Sequence, residues 1–300
     1  MKARKTNPYI VLMIGVIAVS TSAIFVKLSS ADAGVVAFYR LLFSVIIMVP
    51  LFFPKYVHEL AAIRKRDWLF SVIAGVFLAL HFILWFESLN YTSVASSTVL
   101  VTLQPMFAFV GTFLFFKEKF SIKAVGCALA AIIGSVIISW GDFRISGSAL
   151  IGDLLALVAC ALITAYLLFG QEVRQRLSLV TYTFVVYLIS TIVLFIYVLL
   201  SGSSFYPYPP MDWMYFLLLA IVPTLLGHTL FNWTIKWLST STISMAILFE
   251  PVGAAILAYY ILAEKIVWTQ ITGGLIVIIS VTLFLYDEKK SAAKRKATNE

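Results

Sequence analysis

Ten apolar stretches run along the chain, at about residues 9–28, 34–53, 69–89, 94–116, 122–140, 151–170, 180–200, 213–235, 241–262 and 266–286. Each is close to the roughly 20 residues that an α-helix needs to cross a bilayer core. The connections around Tyr91-Thr92 and Lys265 are very short, which makes the helices they join antiparallel neighbours. Ser201 to Pro210, carrying Pro207, Pro209 and Pro210 among its residues, is the one sizeable loop on its side. The pattern predicts an all-α membrane protein with ten transmembrane helices.

One of these stretches occurs twice. Shifting the chain by 146 residues lays Ser93 on Ser239, Pro105 on Pro251, Ala108 on Ala254, Glu118 on Glu264 and Lys119 on Lys265. Each copy is a long apolar helix with a proline near its middle and a Glu-Lys pair at its end. In a soluble helix such a proline costs about 3 kcal/mol. Membrane helices tolerate it where neighbouring helices meet the freed backbone groups. A duplicated, interrupted helix with a polar residue at the break (Gln104 in one copy, Glu250 in the other) is a pointer to a transporter binding site. The repeat divides the chain into five spans over residues 8–142 and five over 149–286, followed by a basic tail at 287–300. Five is an odd number, so the two repeats are expected to lie inverted in the membrane.

Composition agrees with the spans. The chain is 62% hydrophobic and only 12% charged, with a mean hydropathy of +1.00, which no soluble protein of this length could cover with polar surface. In a soluble chain the net charge of +8 would point to nucleic acid; here it comes from the loops. Eighteen of the 22 Lys and Arg residues fall on the side of the N-terminus, against Lys27, Arg40, Arg144 and Lys265 on the other. Both ends are therefore expected in the cytoplasm. Trp68, Trp140, Trp213, Trp237 and Trp268 fall at span ends, as interfacial tryptophans do. The first span imitates a signal peptide, with Ala31-Asp32-Ala33 resembling a cleavage site, but its length and the spans after it mark it as a retained helix. Cys127 and Cys160 lie in apolar runs and read as small buried residues. The tail after Asp287 is expected to be disordered.

The Pro-x12-Glu spacing of both repeats resembles the drug/metabolite transporters of the EamA type. So do Leu248-Phe249-Glu250-Pro251-Val252, Lys27, Tyr39-Arg40, and Gly152-Asp153 opening the sixth span. The resemblance covers nearly the whole chain. It implies an inverted-repeat secondary transporter with a central cavity lined by helices such as the first, third, fourth, sixth, eighth and ninth, with Tyr166 as a cavity aromatic. It also implies small metabolites, amino acids among them, as cargo, without naming one.

The candidate site residues follow from the spans. Glu250 is the one carboxylate near the middle of a span, where an acidic residue costs about 2.5–3.5 kcal/mol and requires protein or water around it. It is either a proton-exchanging or cation-binding group or a protonated structural partner of the carbonyl freed by Pro251. His81 and His228 stand one residue out of register in the two repeats. Trp85 and Asn232 follow one turn later, so each pair is expected to share a helix face. They are candidate substrate contacts, with core packing as the alternative, and too few ligands accompany them for zinc. Lys27 and Arg40 read as snorkelling or ion-paired residues (with Asp32 or Glu87), or as an outer gate or a contact to a substrate carboxylate. Thr102 and Gln104 complete the candidate set, although Ser20, Thr21, Ser22, Ser97, Thr98 and Thr102 also have the character of helix-packing residues. The stripe Ser97, Val101, Gln104, Ala108, Gly111 is expected to lie against another helix. Glu118 and Glu264 oppose their own helix dipoles and are expected to cap the start of the following helix.

These residues describe a secondary transporter, an exporter of small polar metabolites by alternating access across the cell membrane, without cofactors and with protons as the candidate coupling ion. The absence of GxxxxGK[ST] leaves ATP-driven transport without support. An intramembrane enzyme acting on lipids and a channel are the alternatives; the scattered His81, His228 and Glu250 weigh against the first, and the shortage of polar stripes against the second.

Overall fold

The computed structural model describes residues 6–92, 94–138, 140, 147–261, 263 and 267–299, so Ser93, Arg144, Glu264 and Lys265 lie outside the described residues. All ten expected spans are helical. In chain order they are α1 (Pro8–Leu28), α2 (Ala33–Lys55), α3 (Lys65–Ser88), α4 (Val94–Val101 and Gln104–Phe116) and α5 (Ile122–Ile138). The second five are α6 (Gly147–Val173), α7 (Leu179–Ser201), α8 (Pro210–Thr234), α9 (Thr240–Ile247 and Glu250–Ile261) and α10 (Trp268–Asn299). The bundle turns its large apolar side chains outward: Ile192, Phe195, Ile196, Leu199 and Leu200 on α7 are all exposed. In water that surface would be untenable, whereas hydrocarbon solvates it.

The repeat survives at the level of backbone geometry. α4 is interrupted at Thr102-Leu103 and α9 at Leu248-Phe249, the same two positions after the 146-residue shift. The proline that follows each break sits in the first turn of the second half-helix, where its missing N–H is not needed. Each interrupted helix also ends alike: Lys117 (φ 57°) and Ala263 (φ 55°) both adopt the left-handed conformation that usually requires glycine. The fold is thus two five-helix repeats, inverted because five crossings return each repeat to the opposite face.

Packing mixes the two repeats. α3 lies along α6, α5 along α10, and α1 along α8. α1 also meets the second half of α9, where a Cβ on Gly253 would stand 2.4 Å from Ser20 Oγ, so only glycine allows the approach. α1 is therefore part of the core. α10 continues to Asn299 rather than ending in the expected disordered tail. The tail is rich in Ala, Lys and Glu, strong helix formers that extend an existing helix without a new nucleus.

Both ends of the bundle are clasped across the repeats. At one end Ser30 donates through its backbone N–H (2.9 Å) and hydroxyl (2.6 Å) to Asp212 at the start of α8. At the basic end Arg176 holds Asp67 through both carboxylate oxygens. Glu118 there accepts from Ser241 at 3.0 Å, in the first turn of α9. The expected target, the following helix α5, is instead capped locally by Ser121.

The left-handed residues yield a test. Lys117→Gly and Ala263→Gly should each stabilise the protein by up to about 1 kcal/mol, because a Cβ is unfavourable in that conformation. Lys117→Val should lower the melting temperature. Thermal unfolding of the purified protein in detergent would measure both, and a Lys117→Gly protein that melts earlier would contradict the paired cap geometry.

Candidate functional site

The two breaks meet around one cavity. It is a narrow space bounded by His81 and Trp85 of α3, Val101 and Gln104 of α4, His228 and Phe231 of α8, and Ile247 and Glu250 of α9. Val19 and Ser22 of α1 with Ile163 and Leu167 of α6 close the remaining sides. Gln104 and Glu250 each open the second half of a broken helix, so the repeat brings its two unlike polar residues to the same space.

The polar groups of this wall are held in place by neighbours yet incompletely matched. His81 Nδ1 donates to the Ala159 carbonyl at 3.0 Å; a carbonyl can only accept, so Nδ1 carries hydrogen and Nε2 is the ring nitrogen left for another contact. The ring stacks on Trp85 at 5.7 Å, while His228 sets its edge against Phe82 at 5.4 Å. Among the described residues, Trp85 Nε1, Gln104 Oε1 and His228 Nδ1 have no hydrogen-bond partner although all three are buried. An unmatched buried polar atom is costly, and three of the nine such atoms among the described residues surround this cavity. Glu250 is 7% exposed. No hydrogen bond joins its carboxyl group to a described residue, the carbonyls at the break included.

Arg40 lies elsewhere than its position in the sequence implied. It is fully buried rather than snorkelling, and pairs with neither Asp32 nor Glu87. Its Nε donates to Thr224 Oγ1 (2.6 Å) and its Nη1 to Ser22 Oγ (2.9 Å), and its guanidinium lies 4.1 Å over the Phe82 ring. Nη2 has no partner among the described residues. Glu250, His81 and His228 are all within electrostatic reach of this cation. Arg40 stands seven residues into α2, where the bundle surrounds it with hydroxyls and rings. Lys27 remains near its end of the bundle and donates to the Leu89 carbonyl at 3.2 Å.

Three expected contacts are not in the cavity wall. Tyr166 donates to Asn232 Oδ1 at 2.7 Å, and the Asn232 amide reaches Thr183 at 3.4 Å. One turn beyond His228 the cavity has given way to packed α6 and α7, which occupy both ends of that amide. Thr102 turns its hydroxyl back to the carbonyls of Thr98 and Val99, satisfying backbone at the break of α4. The α4 stripe divides similarly: Ser97 bonds Ser88 at 2.6 Å and Gly111 meets Leu168, while Val101 and Gln104 between them face the cavity.

Sequence reasoning missed the winding of α8. Ala220–His228 is a π-helix around Pro223, and its loosened carbonyls are met by Thr224, Ser44, Tyr187 and Thr229. This widened turn presents Thr224 to Arg40 and His228 to the cavity. Pro223 in mid-span was the signal available. Among the described residues no group of three His, Cys, Asp or Glu side chains converges as a metal site would require.

The chain is an all-helical membrane bundle with a cavity between two interrupted helices. The chain belongs to the EamA-like transporter family, whose model matches residues 6–140 and 150–286. It is 24% identical over 263 residues to an uncharacterized transporter of Synechocystis sp., covering 84% of this chain and 75% of that one. It is 26% identical to an uncharacterized transporter of Archaeoglobus fulgidus, over 87% and 91% of the two chains. The riboflavin transporter ImpX of Fusobacterium nucleatum subsp. nucleatum is 22% identical over 85% and 89%. A solved crystal structure superposes with a TM-score of 0.78 at 12% identity, covering 94% of this chain and 98% of the other, which establishes the shared fold.

The unmatched atoms carry a prediction. Trp85→Phe preserves the ring against His81 but removes the indole N–H. If that N–H holds a substrate, KM should rise about tenfold, the value of one lost hydrogen bond, with normal amounts of protein in the membrane. His228→Ala should act in the same direction. Transport kinetics unchanged in both variants would remove them from the site.

Proposed function

We propose that this membrane transporter is a secondary carrier that exports small polar metabolites, amino acids among them, across the cell membrane by alternating access around the cavity between α4 and α9. The observation that carries the reading is the convergence of Gln104 and Glu250, from equivalent helix breaks, with the unmatched polar atoms of Trp85 and His228. A substrate amino group suits Glu250 and Gln104, with His81 and Trp85 as a flat wall beside them and the buried Arg40 behind as a source of positive charge. Lys27, at the end of α1, would serve as a gate on that side. Tyr166, Asn232 and Thr102 act as the frame that holds α6, α8 and α4 in register.

Glu250 is the proton-coupling group in this reading. A proton and a substrate cation compete for one carboxylate, so inward movement of the first drives outward movement of the second. The competition matters only if the two ligands are bound unequally in the two access states. Both termini would then lie in the cytoplasm, with the basic end of the bundle inside. Riboflavin, the cargo named for one relative, is one compound to include in a substrate screen beside the amino acids.

Glu250→Gln keeps the shape of the neutral acid but cannot release a proton. In proteoliposomes the variant should still exchange substrate for substrate, with KM raised by the lost charge, yet lose accumulation driven by a pH gradient. Full pH-driven transport by Glu250→Gln would show that the glutamate does not couple, whatever else it contacts.

A further inference from the structure

At the basic end a second void lies away from the central cavity. About 490 Å3 of empty space is walled by Phe70 and Arg66 of α3, Phe115 and Phe116 of α4, and Leu168, Phe169 and Glu172 of α6. Its origin is local. α4 and α6 touch at Gly111, where a Cβ would stand 2.3 Å from Leu168, and one turn later the bulk of Phe115 and Phe169 holds them apart. The Phe169 ring meets Phe70 at 5.1 Å and Phe115 at 6.4 Å, and Phe115 is 66% exposed on the lipid-facing side. The void is thus an aromatic crevice that opens laterally, between helices of the two repeats.

Its rim is charged. Arg66 lies 5.0 Å over the Phe70 ring and contacts Glu172 at 3.6 Å, with its side chain 68% exposed. The acids nearby are already engaged: Glu172 holds Arg176 at 3.0 Å, Asp67 holds the same guanidinium, and Glu118 accepts from Ser241. Arg66 can therefore turn to an outside anion while Glu172 keeps its closer partner. Lys65 precedes Arg66, Lys117 follows Phe116, and both are exposed. The rim offers cations without a free acid to oppose them, directly above an apolar slot.

We propose that this crevice binds one anionic phospholipid, its acyl chain between Phe70, Phe115, Leu168 and Phe169 and its headgroup phosphate on Arg66, with Lys65 and Lys117 adding attraction. Basic pockets between helices at the headgroup level select anionic lipids in this way. A chain seated there packs between α3–α4 and α6, so it bears on the contact between the repeats at that end.

Native mass spectrometry of the full-length protein, purified and exposed to equal amounts of phosphatidylglycerol and phosphatidylcholine, tests this. Wild type should retain phosphatidylglycerol in preference. Arg66→Ala, a change at an exposed side chain, should weaken that retention about fivefold, and Arg66→Glu should abolish the preference. Leu168→Trp, which fills the slot, should reduce both lipids; if it fails to fold, the two Arg66 variants decide alone. Equal retention of the two lipids by wild type, or an unchanged preference in Arg66→Glu, would overturn the proposal. So would displacement of the lipid by millimolar inorganic phosphate, which would indicate a free-anion site.

Discussion

Hydrocarbon offers no hydrogen bonds, so every interruption of a membrane helix must be answered by protein or by water. This chain interrupts two helices at equivalent points, Thr102-Leu103 and Leu248-Phe249, and the arrangement around them follows from that demand. Thr102 supplies a hydroxyl to its own backbone. The half-helices begin with Gln104-Pro105 and Glu250-Pro251, whose prolines need no donor partner. The polar residue ahead of each proline is left to face inward, because lipid is the alternative. A polar cavity at the centre of the bundle is therefore the companion of the breaks rather than a separate invention.

The same economy of polar groups shapes the surroundings. Arg40 is buried, and the groups that meet its guanidinium are the hydroxyls of Ser22 and Thr224 and the faces of Phe82 and Phe86. Thr224 stands in position because Pro223 loosens α8 into a π-helix, and the carbonyls so released are again met by hydroxyls. Polar contacts between the repeats stand at both ends, Ser30 with Asp212 at one and Asp67 with Arg176 at the other, and also in mid-bundle, where Arg40 meets Thr224 and His81 the Ala159 carbonyl. Between them lie the cavity and its rings. Such an arrangement can yield at one end while the other holds, which is what the proposed carrier requires.

Much of this was legible in the sequence because it rests on periodicities longer than a contact. Apolar runs of membrane length placed all ten helices, and the 146-residue repeat placed both breaks. Side-chain destinations were legible only where one helix decided them: His81 and Trp85, one turn apart on α3, share a face, where their rings stack. Where a second helix decides, the sequence is silent. Asn232 turned to Tyr166 because α6 passes beside it, and Arg40 went inward because α8 carries Thr224. Glu118 found Ser241, 123 residues away, while the nearer helix was already capped. The lateral crevice at Phe115 and Phe169 left no trace at all, since exposed aromatics in a membrane span look like ordinary lipid contacts.

The central claim is that the two inverted repeats move about the broken helices so that the ends open in turn. Double electron–electron resonance on the protein in nanodiscs measures this directly, with one spin-label pair at Asn90 and Met211 and another at Lys65 and Gln175, all exposed positions. Between pH 5.5 and pH 8 the two distance distributions should shift in opposite directions, one pair separating as the other closes. Both pairs widening together would describe a channel, and two fixed distributions in a protein that still transports would contradict the rocking of the repeats.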